Sequence, residues 1–216
     1  MKHRWIWWTV LVLNFAVFAV CIMRLPDVQV PIHYNFRGEV DGYGSKWVYL
    51  AIASLSVVIM GGYELYRHLT RNNERVTTNR RYEDICVSLI AVLFGVICWM
   101  LFPGAGQSMS PTIGSWIGII LGVLMVVLSN IMGKVQPNRT FGYKIPWTLK
   151  DDDVWRATHR LAGYCGVVGG FLMIAGGLIG FWYGWGWQLG GMLIGLIVMT
   201  VPPAIFAYRM YHRIHG

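Results

Sequence analysis

Apolar residues run through this chain in long blocks parted by short polar stretches. Six blocks stand out: Trp5 to Met23, Trp47 to Tyr66, Ile85 to Phe102, Ile113 to Ile131, Leu161 to Tyr183, and Gln188 to Tyr208. A helix needs about 20 apolar residues to cross the hydrocarbon core of a bilayer, so each block predicts one membrane span. Trp and Tyr gather at the block ends (Trp5, Trp8, Trp47, Tyr66, Trp182, Trp187, Tyr208), where amphipathic rings anchor at headgroup depth. The predicted fold is all-α, a polytopic membrane protein with six transmembrane helices.

Composition agrees. Of 216 residues, 56% are hydrophobic and 13% charged, against roughly 25% charged in soluble domains. That excludes a soluble enzyme, a disordered chain and a disulfide-stapled secreted module. A net charge of +8 raises nucleic acid as a partner, but the basic residues sit at the ends of apolar blocks rather than on one soluble module. No direct nucleic-acid contact is expected, and the bilayer is. Fifteen of the 18 Lys and Arg lie on one side of the predicted membrane, and only Arg24, Arg37 and Lys46 on the other. The positive-inside rule then places both termini in the cytoplasm, the loop Arg24 to Lys46 outside and the loop Met132 to Arg160 inside. The basic stretch Arg67 to Asp84 reads as a topology anchor. The basic N-terminus imitates a signal peptide, but its apolar run is long and no cleavage site follows, so it reads as a retained first span.

The notable polar residues inside the spans, such as Asn14, Ser88, Ser129, Asn130 and Gln188, are uncharged, and Glu64 lies near the cytoplasmic end of span two, where it can reach the interface. The absence of a deep ionisable group weakens a transporter reading, and interhelical hydrogen bonding is the expectation for Asn14 and Asn130. Glycines crowd the last two spans at small-x-x-x-small spacing. Packing of the last hairpin is the plain reading, with a homodimer as the alternative. Pro202-Pro203 is expected to kink or end the helix of span six. Cys21, Cys86, Cys98 and Cys165 lie in apolar surroundings without metal-ligand spacing and read as buried hydrophobes.

Two loops carry candidate chemistry. In the outer one, Val28, Val30 and Ile32 alternate with polar or Pro positions, predicting a short extended segment before a turn at Gly38. His33, Asn35 and Asp41 could converge once that turn closes, and Ser45-Lys46 completes the candidate set. A lone His with scattered carboxylates is far weaker than paired metal-ligand spacing, so no metal or other cofactor is expected. In the inner loop, Thr148 has capping-box spacing to Asp151, and the run Asp151, Asp152, Asp153 suits a helix N-terminus. Asp152 with Arg156, and Trp155 with His159, are four apart and can meet on one helix face. No Ser/His/Asp arrangement, HExxH helix or activated Cys is visible, so the protein is not expected to be an enzyme.

The inner loop resembles a known family. The residues that carry the likeness are Asn130, Gly133, Lys134, Pro137, Asn138 and Gly142, then Pro146-Trp147-Thr148, then Trp155 and Thr158-His159-Arg160. Their pattern resembles the SdpI family of bacterial membrane proteins, immunity factors against a secreted antimicrobial toxin. Leu25-Pro26, Pro31 to Asn35, Gly38, Asp41-Gly42-Tyr43 and Ser45-Lys46 resemble the small membrane domain that often precedes it. The resemblance implies a multi-pass protein of the bacterial cell membrane in two parts, a two-span domain over 1–84 and a four-span domain over 85–216. It implies protection from a toxin met outside, and a cytoplasmic autorepressor held at the membrane. The alternative is a small transporter or exporter of a peptide, lipid or ion.

Overall fold

The computed structural model describes residues 4–35, 39–102 and 112–216. The small, uncharged stretch Pro103 to Thr112 reads as turn-like from sequence; all of it but Thr112, and Gly38 of the outer candidate set, lie outside the described residues. Eight helices and one hairpin are described: α1 (Arg4–Arg24), β1 (Gln29–Tyr34), β2 (Val40–Ser45), α2 (Trp47–Leu69), α3 (Glu74–Thr77), α4 (Arg80–Leu101), α5 (Ile113–Met132), α6 (Pro146–Lys150), α7 (Asp152–Tyr183) and α8 (Trp185–His215). Six of them are long and apolar enough to cross a membrane. The fold is therefore all-α in its membrane part, with a two-stranded antiparallel sheet added.

The chain forms two compact units. The first holds the described residues up to Asn72 together with Asp84 to Ile113, so the third span lies within the unit of the first two. Its core is Phe18, Ile22, Val30, Tyr49, Ala53 and Cys98, and Phe18 meets Trp99 edge to face at 5.3 Å. At the far end of the spans, the Asp84 carboxylate accepts from the Tyr63 hydroxyl at 2.8 Å and pairs with Arg67. Asn14 lies against Gly95, where an added Cβ would stand 3.2 Å from its Oδ1.

The second unit holds Asn73 to Glu83 and Gly114 to Gly216. Its helices pack through glycine. On α7, a Cβ at Gly170 would stand 2.7 Å from the Gly122 carbonyl of α5, and one at Gly169 would stand 2.5 Å from the Gly195 carbonyl of α8. One helix thus uses two glycine faces to bring two neighbours to backbone contact. Gly184, at φ +86°, is the single residue between α7 and α8. Only glycine takes that conformation cheaply, which makes the last hairpin as tight as a helical hairpin can be.

Two expectations about the long helices change. Both run well past the marked spans, because Asp152 and Asp153 in the first turn of α7 and the basic end of α8 suit those helix termini. α8 also does not end at Pro202-Pro203. Each proline removes an amide that would bond the carbonyl four residues back. Nearby, the Tyr143 hydroxyl donates to the Thr200 carbonyl and Thr200 Oγ1 donates to Leu196 O at 2.6 Å.

Candidate functional site

The loop between α5 and α7 folds onto the first turns of α7. Pro146 opens α6, and the short helix stops at Asp151, which is the true N-cap of α7. Its Oδ1 accepts from the amides of Asp153 at 2.8 Å and Val154 at 2.9 Å. Thr148 is not that cap. It is buried, accepts from Ile145 N–H at 3.1 Å and donates to Tyr143 O at 2.9 Å, so it closes the turn before α6. Arg156 pairs with Asp153 at 3.2 Å and not with Asp152. The two acids are adjacent on the helix, and the i,i+3 geometry is the one formed.

Trp155 and His159 meet as the four-residue spacing predicts. Their rings stack at 3.9 Å, both almost wholly buried. Trp155 Nε1–H donates to Val135 O at 2.9 Å. His159 Nε2 accepts from Tyr143 N–H at 2.9 Å, and its Nδ1 lies 2.9 Å from Trp155 O. Those two bonds together require the neutral ring with its proton on Nδ1. Gly142 lies over the stack at φ +122°, where a Cβ would stand 2.5 Å from His159 Nε2. Burial, and secondarily Cys165, raises the Tyr143 phenol, which keeps it protonated as the donor to α8.

Asn138 organises the turn: its Oδ1 accepts from the amides of Thr140 at 2.8 Å and Phe141 at 2.7 Å, and its Nδ2 donates to Gln136 O at 2.8 Å. Trp147 packs edge to face on Tyr208 at 5.2 Å. Gly133 approaches Arg160, with a hypothetical Cβ 3.6 Å from its Cα. Thr158 is fully buried and its hydroxyl has no hydrogen-bond partner among the described residues. Lys134 is exposed. Asn130 does not bridge helices: it is exposed and donates to Val126 O of its own helix at 2.8 Å.

Asn79, absent from the sequence-derived set, pins this loop. It is fully buried, donates to Gln136 O at 3.0 Å and accepts from Gln136 N–H at 2.8 Å. No sequence signal marks it within a stretch that reads as basic and polar. Beside it, Glu83 pairs with Arg80 at 3.1 Å and accepts from Thr140 Oγ1 at 3.4 Å. Between α3, the loop and α7 opens a cleft of about 780 Å³, lined by Asn73, Gln136, Asn138, Arg139, Leu149 and Arg156, with Trp155 also in its wall.

In the first unit, the hairpin pairs Gln29 with Ser45, Val30 with Gly44 and Pro31 with Tyr43, with irregularities around His33. It is stapled to the helices by Tyr49, whose hydroxyl donates to Pro31 O at 3.0 Å, and by buried Lys46, which donates to Leu25 O at 2.6 Å. His33 and Asp41 come together at 2.5 Å and are exposed. Asn35 does not join them: its amide donates to Glu39 Oε2 at 2.9 Å. Among the described residues no group of three or more His, Cys, Asp or Glu could hold a metal ion.

Comparison with known proteins finds a match that begins in this loop. Residues 134–206, covering the motif loop and most of α7 and α8, match the SdpI/YfhL protein family. Over that stretch the chain is similar to that family. Residues 9–57, covering α1, the hairpin and the start of α2, match a domain of unknown function, DUF1648. The chain also aligns with the immunity protein SdpI of Bacillus subtilis (strain 168), at 22% identity over 220 residues, covering 100% of this chain and 99% of that protein. No solved structure matches. The SdpI-like chain is thus a multi-pass protein of the bacterial membrane, and its SdpI/YfhL match begins at Lys134, where the loop leaves α5.

Proposed function

We propose that this SdpI homologue is a membrane immunity protein that protects its cell from a secreted antimicrobial toxin. The end-to-end alignment with the B. subtilis immunity protein carries the reading, since it spans both units rather than one shared motif. The fifteen-to-three division of Lys and Arg supports cytoplasmic termini, with the hairpin outside and the motif loop inside. In that orientation the exposed His33–Asp41 pair faces the side from which a toxin arrives. The cleft beside Arg139 and Arg156 faces the cytoplasm, open to an acidic surface of an autorepressor.

The test is survival. The chain is expressed in B. subtilis lacking its own immunity protein and co-cultured with parent cells, and separately exposed to medium conditioned by the chain's own host. Survival above an empty vector in either arm is expected, and His33→Ala with Asp41→Ala lowers it at matched membrane levels. No protection in both arms overturns the immunity reading. Orientation is read separately: Glu39→Cys labels from outside in intact cells, and labelling of Lys150→Cys would reverse the assignment.

A further inference from the structure

The end of α8 has two faces of opposite use. Tyr208, Tyr211, His212 and His215 share one side. There Tyr208 packs on Trp147, the Tyr211 ring lies 5.8 Å from Lys150 Nζ, and His215 Nε2 stands 2.8 Å from Asp151 Oδ2. Phe206, Arg209, Met210, Arg213 and Ile214 fall on the opposite side at spacings of three and four. They line a groove of about 430 Å³. Phe206 and Ile214 are exposed there, as are both arginines.

Depth and charge define what fits. From Trp185 to Tyr208, α8 carries no charged residue, a stretch of roughly 36 Å at 1.5 Å per residue, against a hydrocarbon core of about 30 Å. Arg209 is the first charge beyond it and so stands at headgroup depth, whichever leaflet that is. Neither Arg209 nor Arg213 has a carboxylate partner among the described residues. Asp151, the acid at this helix end, is already taken by His215.

We propose that this face binds one anionic glycerophospholipid. The phosphodiester sits between Arg209 and Arg213, one helical turn apart, where planar guanidinium forks match phosphate oxygens. An acyl chain follows Phe206 and Met210 toward the core. A second copy of the chain is the poorer occupant, because a two-fold contact on this face would set four unpaired arginines together.

The measurement is native mass spectrometry of the full chain released from phosphatidylcholine nanodiscs containing a small fraction of phosphatidylglycerol. Wild type should retain one phosphatidylglycerol in preference to phosphatidylcholine. Arg209→Gln and Arg213→Gln should each lower that retention about fivefold, and the double variant roughly thirtyfold. Arg209→Lys with Arg213→Lys keeps the charge, loses the fork and falls between. Both positions are exposed, so unchanged thermal unfolding in pure phosphatidylcholine separates loss of the site from loss of the fold, and the single variants carry the test if the double one unfolds. Equal retention of the two lipids by wild type overturns the proposal, as does undiminished phosphatidylglycerol retention by the Gln variants. Disulfide-linked dimers of Ile214→Cys in phosphatidylglycerol liposomes would give the face to a second copy instead.

Discussion

Replacing Gly142 by alanine places one methyl group where the motif has no room for it. The backbone there is at φ +122°, and the new Cβ would stand 2.5 Å from His159 Nε2 and 3.0 Å from the Trp155 ring. A side chain held in a sparsely populated backbone region costs about 1–3 kcal/mol. Relief of the contact requires the imidazole to move, and it cannot do so without stretching the Tyr143 N–H···Nε2 bond of 2.9 Å. Losing that bond adds about 0.5–1.5 kcal/mol. Together these predict a destabilisation of about 1.5–4.5 kcal/mol, which for a chain of this size lowers the melting temperature on the order of 3–18 °C. Thermal unfolding of the purified protein in detergent, followed by tryptophan fluorescence, reads it. Gly190→Ala is the control. It lies inside α8 with nothing within 4 Å of the added Cβ, so alanine there should be neutral or stabilising by about 0.5–1 kcal/mol. If Gly142→Ala melts with wild type, or Gly190→Ala falls as far, the description of the loop as a close-fitted cap on His159 is refuted.

Trp155→Ala should cost about 3–5 kcal/mol, since it empties a buried site and strips Val135 O of its donor; unfolding midpoints against denaturant check it. Asn79→Ala leaves the Gln136 amide without its partner and removes one of the two donors to the Gln136 carbonyl, costs about 1–3 kcal/mol, and should speed hydrogen exchange at Gln136 while membrane insertion is unchanged. Asp151 is held below the usual carboxylate range, first by the Val154 amide and then by His215. Its stabilising contribution is therefore complete above the ordinary carboxylate value near 4 and is lost as pH falls through the lowered folded value. Asp151→Asn should flatten that acid limb of melting temperature against pH, and an unchanged limb would assign it to other groups.

The spans were legible because hydrocarbon thickness demands uninterrupted apolar length, which any reading of hydropathy detects. What hydropathy cannot register is helix beyond the lipid, and so α7 begins nine residues before the marked Leu161. The hairpin was half legible. Val30 and Ile32 alternate as a strand should, but Asp41-Gly42-Tyr43-Gly44-Ser45 is glycine-rich and pairs only because β1 lies beside it. There a Cβ at Gly42 would stand 2.9 Å from His33 Cβ. Trp155 and His159 were legible from helical spacing. Which of two neighbouring acids caps α7, or pairs with Arg156, turns on a rotation of one residue that spacing does not resolve. The Asn79 clamp spans 57 residues of chain and leaves no local trace at either end.

These contacts also decide which motif residues can meet a partner. Trp155, Thr148 and Thr158 are buried and His159 is enclosed by Tyr143, Trp155 and Gly142, so their substitution reports on the scaffold before it reports on recognition. Asn138 turns most of its polar atoms back onto the loop backbone. What stays available is the rim: Lys134, Arg139 and Arg156, with Leu149 beside them, exposed or lining the cleft. Charges at such a rim govern association rate and salt dependence more than fold. A test of the proposed repressor recruitment therefore belongs on Lys134 and Arg139, whose removal leaves the loop standing, whereas His159→Ala would lower stability and so separate nothing.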